Sequence, residues 1–106
     1  MDKPTTVAWI FLAVEMASME EPANRRSISM LADGINHAIP TNIEMDISLR
    51  WLETADLVSR DQKGYIISPA GRKVLEKARA DIATVSAVWK RLTEEITRIY
   101  NQTKSN

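Results

Sequence analysis

The chain opens with an apolar stretch that has no polar face. Residues 7–14 are all apolar, so a helix built on them has no side that suits water. We predict a helix over residues 7–19, which Thr5 or Thr6 can cap by accepting a hydrogen bond from an unpaired amide of the first turn. Because such a helix has to be covered on most sides, it belongs at the centre of the fold or in a subunit interface.

The next two helices are predicted to form a helix-turn-helix unit. Apolar residues that share one face indicate a second helix over residues 27–38, and Pro40 ends it. Thr41 and Glu44 then match a capping box, in which each side chain bonds the backbone amide of the other residue. A third helix therefore begins here, and the short connection places it against the second.

The third helix has a clear core face. With about 100° between successive residues, Met45, Leu49 and Leu52 lie on one side of it. Asp56 ends this line, and we expect the chain to leave the helix there with a positive φ, which aspartate tolerates better than most residues.

A hairpin and a fourth helix follow. Residues 57–58 and 65–67 are typical of strands, and the polar, glycine-containing segment between them forms the tip of the hairpin. Ser68 is suited to capping, and the proline after it is suited to the first turn of a helix. A fourth helix is therefore predicted from this point to about residue 80.

The last predicted helix spans residues 84–100 and carries a narrow apolar stripe. The stripe can pack on the rest of the domain or on a copy of itself, as a dimer interface. Its six members are Val85, Val88, Trp89, Leu92, Ile96 and Ile99. Residues 101–106 are polar, and we expect them to fray.

This succession of elements resembles the winged helix-turn-helix domain of the MarR-like and PadR-like bacterial transcriptional regulators. The resemblance is carried by residues 49–58, a helix end with a Leu-x-x-Leu pattern, and by residues 59–72, a short hairpin followed by a helix that opens at Ser-Pro. It implies a mainly α fold with a small β-hairpin, in the order α-α-α-β-β-α, to which this chain adds a C-terminal helix. We assign residues 1–80 to the winged-helix domain and residues 81–106 to the dimerisation or packing helix.

The resemblance also implies a function and an assembly. Regulators of these families bind duplex DNA and are usually homodimers held by terminal helices. Two features of the chain agree with a homodimer: the fully apolar first helix and the stripe on the last helix.

Composition limits the possibilities further. A chain of 106 residues with 44% hydrophobic content suits one modest core. It contains no cysteine, which excludes disulfides and thiolate metal sites, and the lone His37 cannot make a zinc site. The longest apolar run is too short to span a bilayer, which takes about 20 residues. We expect a cytoplasmic protein that does not enter the membrane and carries no metal or cofactor.

Charge is balanced overall but unevenly distributed. Residues 1–58 carry four basic and nine acidic side chains, residues 59–80 carry six and two, and residues 81–106 carry four and three. The predicted hairpin and fourth helix are therefore the positive part of the chain, where a phosphate backbone is best accommodated.

The third helix and the positive segment make up the predicted DNA interface. In a winged helix the third helix lies in the major groove while the wing touches the backbone. Arg50 suits guanine and Asn42 suits adenine. Arg25 and Arg26, just before the second helix, are either backbone contacts or solvated. The residues assigned to nucleic-acid binding are Asn42, Asp46, Ile47, Arg50, Arg60, Lys63, Arg72 and Lys73.

A protein-contact function is the alternative. Three acids on the third helix oppose phosphate, namely Glu44, Asp46 and Glu53. Ile43, Ile47 and Trp51 form an apolar line on its outer side, which suits contact with a protein partner or packing within the same chain.

Catalysis finds no support in the sequence. It has no Gly-rich phosphate loop, no cluster of metal ligands and no nucleophile spaced from a base, so we predict that the chain is not an enzyme. Trp9, Trp51 and Trp89 either line a small-molecule effector pocket or belong to the core, and tryptophans on apolar faces are usually core. The identity of an effector is open.

Overall fold

A computed structural model describes residues 1–104. They form five helices and one two-stranded antiparallel hairpin in the order α-α-α-β-β-α-α, which is the order that the sequence predicts. The bounds are α1 Lys3–Ala17, α2 Arg25–Asn36, α3 Asn42–Thr54, β1 Val58–Asp61, β2 Gly64–Ile67, α4 Pro69–Arg79 and α5 Val85–Lys104. None of the helices in this part of the chain combines the length and the apolar character needed to cross a membrane.

Helix α1 lies at the centre, packed against α2, α3 and α5. Every residue from 6 to 15 is buried, which confirms that a helix without a polar face is covered on all sides. The predicted start was wrong by four residues. Asp2 caps the helix by accepting from the Thr5 amide at 2.9 Å, and Pro4 fits the first turn because its missing N–H needs no partner there.

Helix α2 also begins earlier than predicted. Asn24 and Ser27 form a capping box, so the helix starts at Arg25 and ends at Asn36, two residues before the predicted bounds at each end. His37 closes it in the left-handed conformation, with φ of 55°. The short connection to α3 that the sequence predicts is observed, over residues 37–41.

Helix α3 follows its prediction closely. Thr41 accepts from the Glu44 amide at 3.0 Å, and the Glu44 carboxylate accepts from the Thr41 amide at 2.9 Å. The predicted core face is buried, with Leu52 fully covered. Asp56 leaves the helix with φ of 61°, which confirms the predicted left-handed exit.

The hairpin lies against the segment that precedes α2. Ala23 pairs with Tyr65 through two backbone hydrogen bonds of 2.8 Å, so one residue of the chain before α2 bridges to the edge of the hairpin. Gly64 has φ of 138°, and a β-carbon at that position would collide with the Ala23 carbonyl oxygen. Glycine is therefore required at position 64, where the hairpin meets this segment.

Helix α5 packs on α1 of the same chain. Val88, Leu92 and Ile96 are buried in the common core, whereas Val85 is 41% exposed and Ile99 is partly covered. The predicted dimer interface is therefore wrong for Val88, Leu92 and Ile96, because these residues are buried within the same chain. The helix also continues through residues 101–104, where fraying was predicted; residues 105–106 of that prediction lie outside the described residues.

The tryptophans of α1 and α5 join these two helices. The Trp9 indole donates to the Ala32 carbonyl at 2.8 Å, and the Trp89 indole donates to the Thr5 carbonyl at 2.9 Å. The two rings lie 6.3 Å apart. Trp9 is 1% exposed, so it is a core residue.

Candidate nucleic-acid interface

Helix α3 has two flanks of opposite character beside its core face. One flank faces the start of α2 and the hairpin, where it borders a polar cleft of about 290 Å³ that we call the arginine cleft. The other flank faces the start of α1, where it borders an apolar cleft of about 260 Å³ that we call the isoleucine groove. The arginine cleft is lined by Arg25, Asp46, Leu49, Arg50, Glu53, Arg60 and Tyr65. The isoleucine groove is lined by Met1, Lys3, Thr6, Val7, Ile43, Glu44, Ile47 and Ser48.

Two ion pairs close the ends of the arginine cleft. Arg25, the first residue of α2, lies 2.7 Å from the Asp46 carboxylate. Arg60 of β1 lies 3.6 Å from the Glu53 carboxylate and donates to the Tyr65 hydroxyl at 3.3 Å. These contacts tie α2 and the wing to α3.

Arg60 is the most constrained cation of the cleft. Its guanidinium also lies 5.6 Å from the centre of the Tyr65 ring, within the range of a cation–π contact. The hydrogen bond to Tyr65 raises the pKa of Arg60 above its ordinary value, and the Glu53 charge adds to this. Arg60 is thus held charged on the α3 side of the wing.

Arg50 lies between the two ion pairs. Asp46 and Glu53 precede and follow it by four and three residues, so all three share one side of α3. Arg50 is exposed and makes no hydrogen bond or ion pair with the described residues. Asn42, at the first position of α3, is also exposed. Both side chains are free to approach a ligand from solvent.

The remaining predicted cations lie on the hairpin and on α4. Lys63 is exposed at the hairpin tip, where the Asp61 carboxylate accepts from its amide at 2.7 Å, and Lys73 is exposed on α4. Arg72 instead donates to Glu15 of α1 at 3.2 Å. Arg79 pairs with the same carboxylate, which is only 10% exposed. We therefore assign Arg72 to the fold.

The positive segment is consequently less positive than its composition indicates. Lys77 and Arg98 pair with Glu95, which like Glu15 is 10% exposed. Of the six basic residues in 59–80, four are held by carboxylates of other elements: Arg60, Arg72, Lys77 and Arg79. Charge counted segment by segment does not reveal this, because the acids lie outside residues 59–80.

The isoleucine groove carries most of the predicted protein-contact line. Ile43 is 70% exposed and Ile47 is 45% exposed, whereas Trp51 is partly buried against the core. Ser48 at the edge of the core is fully buried, and its hydroxyl has no partner among the described residues. The predicted anchor of three residues is therefore reduced to two isoleucines.

Sequence reasoning missed several members of the arginine cleft. Arg25 precedes the predicted second helix, but Asn24 caps α2 and so places Arg25 on the helix. The sequence predicts Tyr65 only as a strand residue, and its hydroxyl contact with Arg60 follows from the pairing of these two residues across the hairpin. Glu53, predicted to oppose phosphate, is also the partner of Arg60.

The chemistry that the arginine cleft offers is that of its guanidinium groups. Within residues 1–104, no three histidine, aspartate or glutamate side chains are grouped so that they could hold a metal ion. The cleft instead offers guanidinium groups from three elements, which suit phosphate and base edges. No protein family model, no curated protein and no solved structure matches this chain.

Proposed function

We propose that this chain is a small winged-helix protein that binds duplex DNA in the cytoplasm and regulates transcription. The observation that carries the proposal is the convergence of Arg25, Arg50 and Arg60, from three different elements, on one cleft beside the exposed side of α3. Guanidinium groups bind phosphate and guanine with two parallel hydrogen bonds, so three of them at one helix favour a nucleic-acid ligand.

In this proposal α3 enters the major groove and the hairpin follows the backbone. Arg50 contacts a guanine edge and Asn42 contacts an adenine edge, since these are the pairings that their side chains favour. Arg60 and Lys63 contact phosphates from the wing. Lys73 on α4 is a further phosphate contact, whereas Ile47 meets the methyl groups of thymine.

The proposal includes a homodimer. Because Val88, Leu92 and Ile96 are covered by α1, a dimer formed by α5 has to use the side of the helix that remains exposed. Val85 is the exposed apolar residue there, next to a shallow pocket that includes Trp89 and Lys90. Light scattering at micromolar concentration tests this, and a monomer mass contradicts the dimer.

The experiment is fluorescence anisotropy with a labelled 20-base-pair duplex at salt concentrations from about 20 to 200 mM. If each phosphate contact releases counterions, the affinity of the wild type falls steeply with salt. Arg60→Ala with Lys63→Ala is expected to weaken binding to every sequence and to flatten the salt dependence by about 2 in the log–log slope. Arg50→Ala is expected to change which duplexes from a random pool are preferred.

Lys77→Ala with Arg91→Ala is the matched control. Both residues are exposed and lie outside the arginine cleft, and their loss removes two positive charges as well. Unchanged binding in the control with weakened binding in the wing variant supports the proposal. No binding by the wild type at 20 mM salt overturns it.

Protein contact through α3 is the second candidate, and the exposure of Ile43 and Ile47 favours it. Replacing both by serine is expected to abolish capture of a partner protein while the domain stays folded. Glu53→Ser serves as the control, because Glu53 lies on the arginine-cleft flank of the same helix and does not line the groove. A partner lost in the isoleucine variant and retained in the Glu53 variant supports this candidate.

A further inference from the structure

Both acids on the cleft side of α3 are occupied by the arginines that the proposed function assigns to DNA. Asp46 binds Arg25, and the exposed fractions of the two side chains are 56% and 44%. Glu53 binds Arg60, with exposed fractions of 32% and 58%. The arrangement brackets Arg50, which has no such partner among the described residues.

Exposed ion pairs of this kind are weak and open to exchange. Pairs in contact with water gain little Coulomb energy, because solvent screens the two charges. A DNA phosphate presents the same oxygen acceptors as a carboxylate and competes for the same guanidinium group. Binding DNA at this cleft therefore means that Arg25 and Arg60 exchange a carboxylate for a phosphate.

The displaced carboxylates then lie beside the phosphate backbone. Asp46 and Glu53 stay on α3 after the exchange, where their charge repels the phosphates that the arginines attract. This penalty is the same for every DNA sequence, so it lowers the affinity for every duplex by the same factor. At a matching site the contact of Arg50 with a base edge offsets the penalty, whereas a duplex that offers phosphates alone has no such contact.

We propose that Asp46 and Glu53 restrict the binding of DNA at the arginine cleft. They hold Arg25 and Arg60 in place in the free protein and oppose binding to duplexes that offer phosphates alone. The inference rests on the proposed function, and it names the acids as the part of the same site that restricts binding.

The test compares two double variants with equal net charge. Asp46→Asn with Glu53→Gln removes both cleft carboxylates and keeps the size of the side chains. Asp33→Asn with Glu76→Gln removes two exposed carboxylates that do not line the cleft. Each protein is titrated against the same 20-base-pair duplex of arbitrary sequence from about 50 to 200 mM salt, after thermal unfolding has confirmed that it is folded.

We expect the cleft variant to bind this duplex about tenfold more tightly than the wild type at 100 mM salt, with a salt slope steeper by about 1 to 2. The control variant is expected to stay within about threefold of the wild type with the same slope. Adding Arg25→Ala and Arg60→Ala to the cleft variant is expected to remove the gain, since the freed arginines produce it.

Three results overturn the inference. If wild type and Lys63→Ala differ in affinity but the cleft variant binds like the control, the DNA function stands and the acids do not restrict it. If the cleft variant binds more weakly than wild type, the carboxylates position the arginines for DNA and do not oppose it. Absence of binding by all of these proteins overturns the proposed function itself and the inference with it.

Discussion

The two flanks of α3 belong to one helix of thirteen residues and border the same core face, yet one flank is polar and the other is apolar. The arginine cleft is closed at both ends by ion pairs to α2 and β1. The isoleucine groove exposes Ile43 and Ile47 and keeps a buried hydroxyl without a partner among the described residues. The polar flank has both of its carboxylates paired, and the apolar flank leaves its two isoleucines exposed.

The difference shows that neighbours determine what a helix face becomes. Arg25 and Arg60 come from elements on either side of α3 in the chain, and they reach the carboxylates that α3 presents to them. The start of α1 offers only short or flexible side chains to the other flank, of which Lys3 is one. Helical periodicity places the residues of α3 on a flank, but it does not say what meets them there.

The largest effect is expected for the face that both flanks share. Leu49 is 2% exposed and also forms the floor of the arginine cleft. Leu49→Ala removes buried methyl groups and leaves a cavity, so we expect a loss of about 3 kcal/mol in the free energy of unfolding. Urea unfolding followed by circular dichroism measures it. Ile43→Ala, on the exposed side, is expected to change stability by less than about 0.5 kcal/mol, and equal losses would mean that Ile43 is covered.

A second prediction compares the paired arginines of the cleft with those of α4. The Glu15 carboxylate is nearly buried and holds Arg72 and Arg79. Glu15→Gln leaves both guanidinium groups without their charge partner, and we expect it to cost about 1 to 2 kcal/mol, since the two arginines keep access to water. Asp46→Asn breaks a pair in solvent and is expected to cost less than about 0.5 kcal/mol. A larger loss in Asp46→Asn than in Glu15→Gln would contradict this order.

A third prediction concerns Ser48, which lines the isoleucine groove. Ser48 is fully buried and its hydroxyl has no partner within residues 1–104, and a buried hydroxyl without a hydrogen bond opposes folding. Ser48→Ala removes that group and adds a better helix former, so we expect the protein to gain about 1 kcal/mol of stability. Thermal unfolding of both proteins measures the difference. A loss of stability would show that an ordered water or another ligand satisfies the hydroxyl in solution.

The parts of the fold that sequence predicted correctly depend on residues close together in the chain. Thr41 with Glu44 and Ser68 with Pro69 fix helix starts within four residues, and Asp56 marks a helix exit by its own conformation. The starts of α1 and α2 were wrong because other capping residues lay upstream within one turn. Asp2 and Asn24 are the residues that cap these helices, and Pro4 is the sequence signal for the earlier start of α1.

The contacts of the candidate site were not predictable in the same way. The exposed position of Arg50 follows from the periodicity of α3. The pairs of Arg25 with Asp46 and of Arg72 with Glu15 join residues that are 21 and 57 positions apart. Which acid pairs with which arginine depends on how the helices pack. Patterns among residues close together in the sequence do not determine that packing.

The smallest effect is expected at the edge of the isoleucine groove, where Asp2 caps α1 and so places Lys3. The hydrogen bonds from Thr5 lower the pKa of Asp2 below its ordinary value, because they favour the charged carboxylate. A carboxyl group whose pKa is lower in the folded state stabilises that state above its unfolded pKa, near pH 4, and loses this contribution as the pH falls through the folded value. Asp2→Asn keeps a good capping side chain but has no charge to titrate.

We therefore expect the wild type to melt slightly above Asp2→Asn at pH 6, since a negative charge at a helix start is favourable. The difference in melting temperature is expected to shrink steadily as the pH is lowered from 5 to 2, and differential scanning calorimetry across that range measures it. A difference that stayed constant with pH would mean that the capping bond alone, and not the carboxylate charge, stabilises the start of α1. In that case the charge on Asp2 would contribute nothing to fixing Lys3 at the edge of the groove.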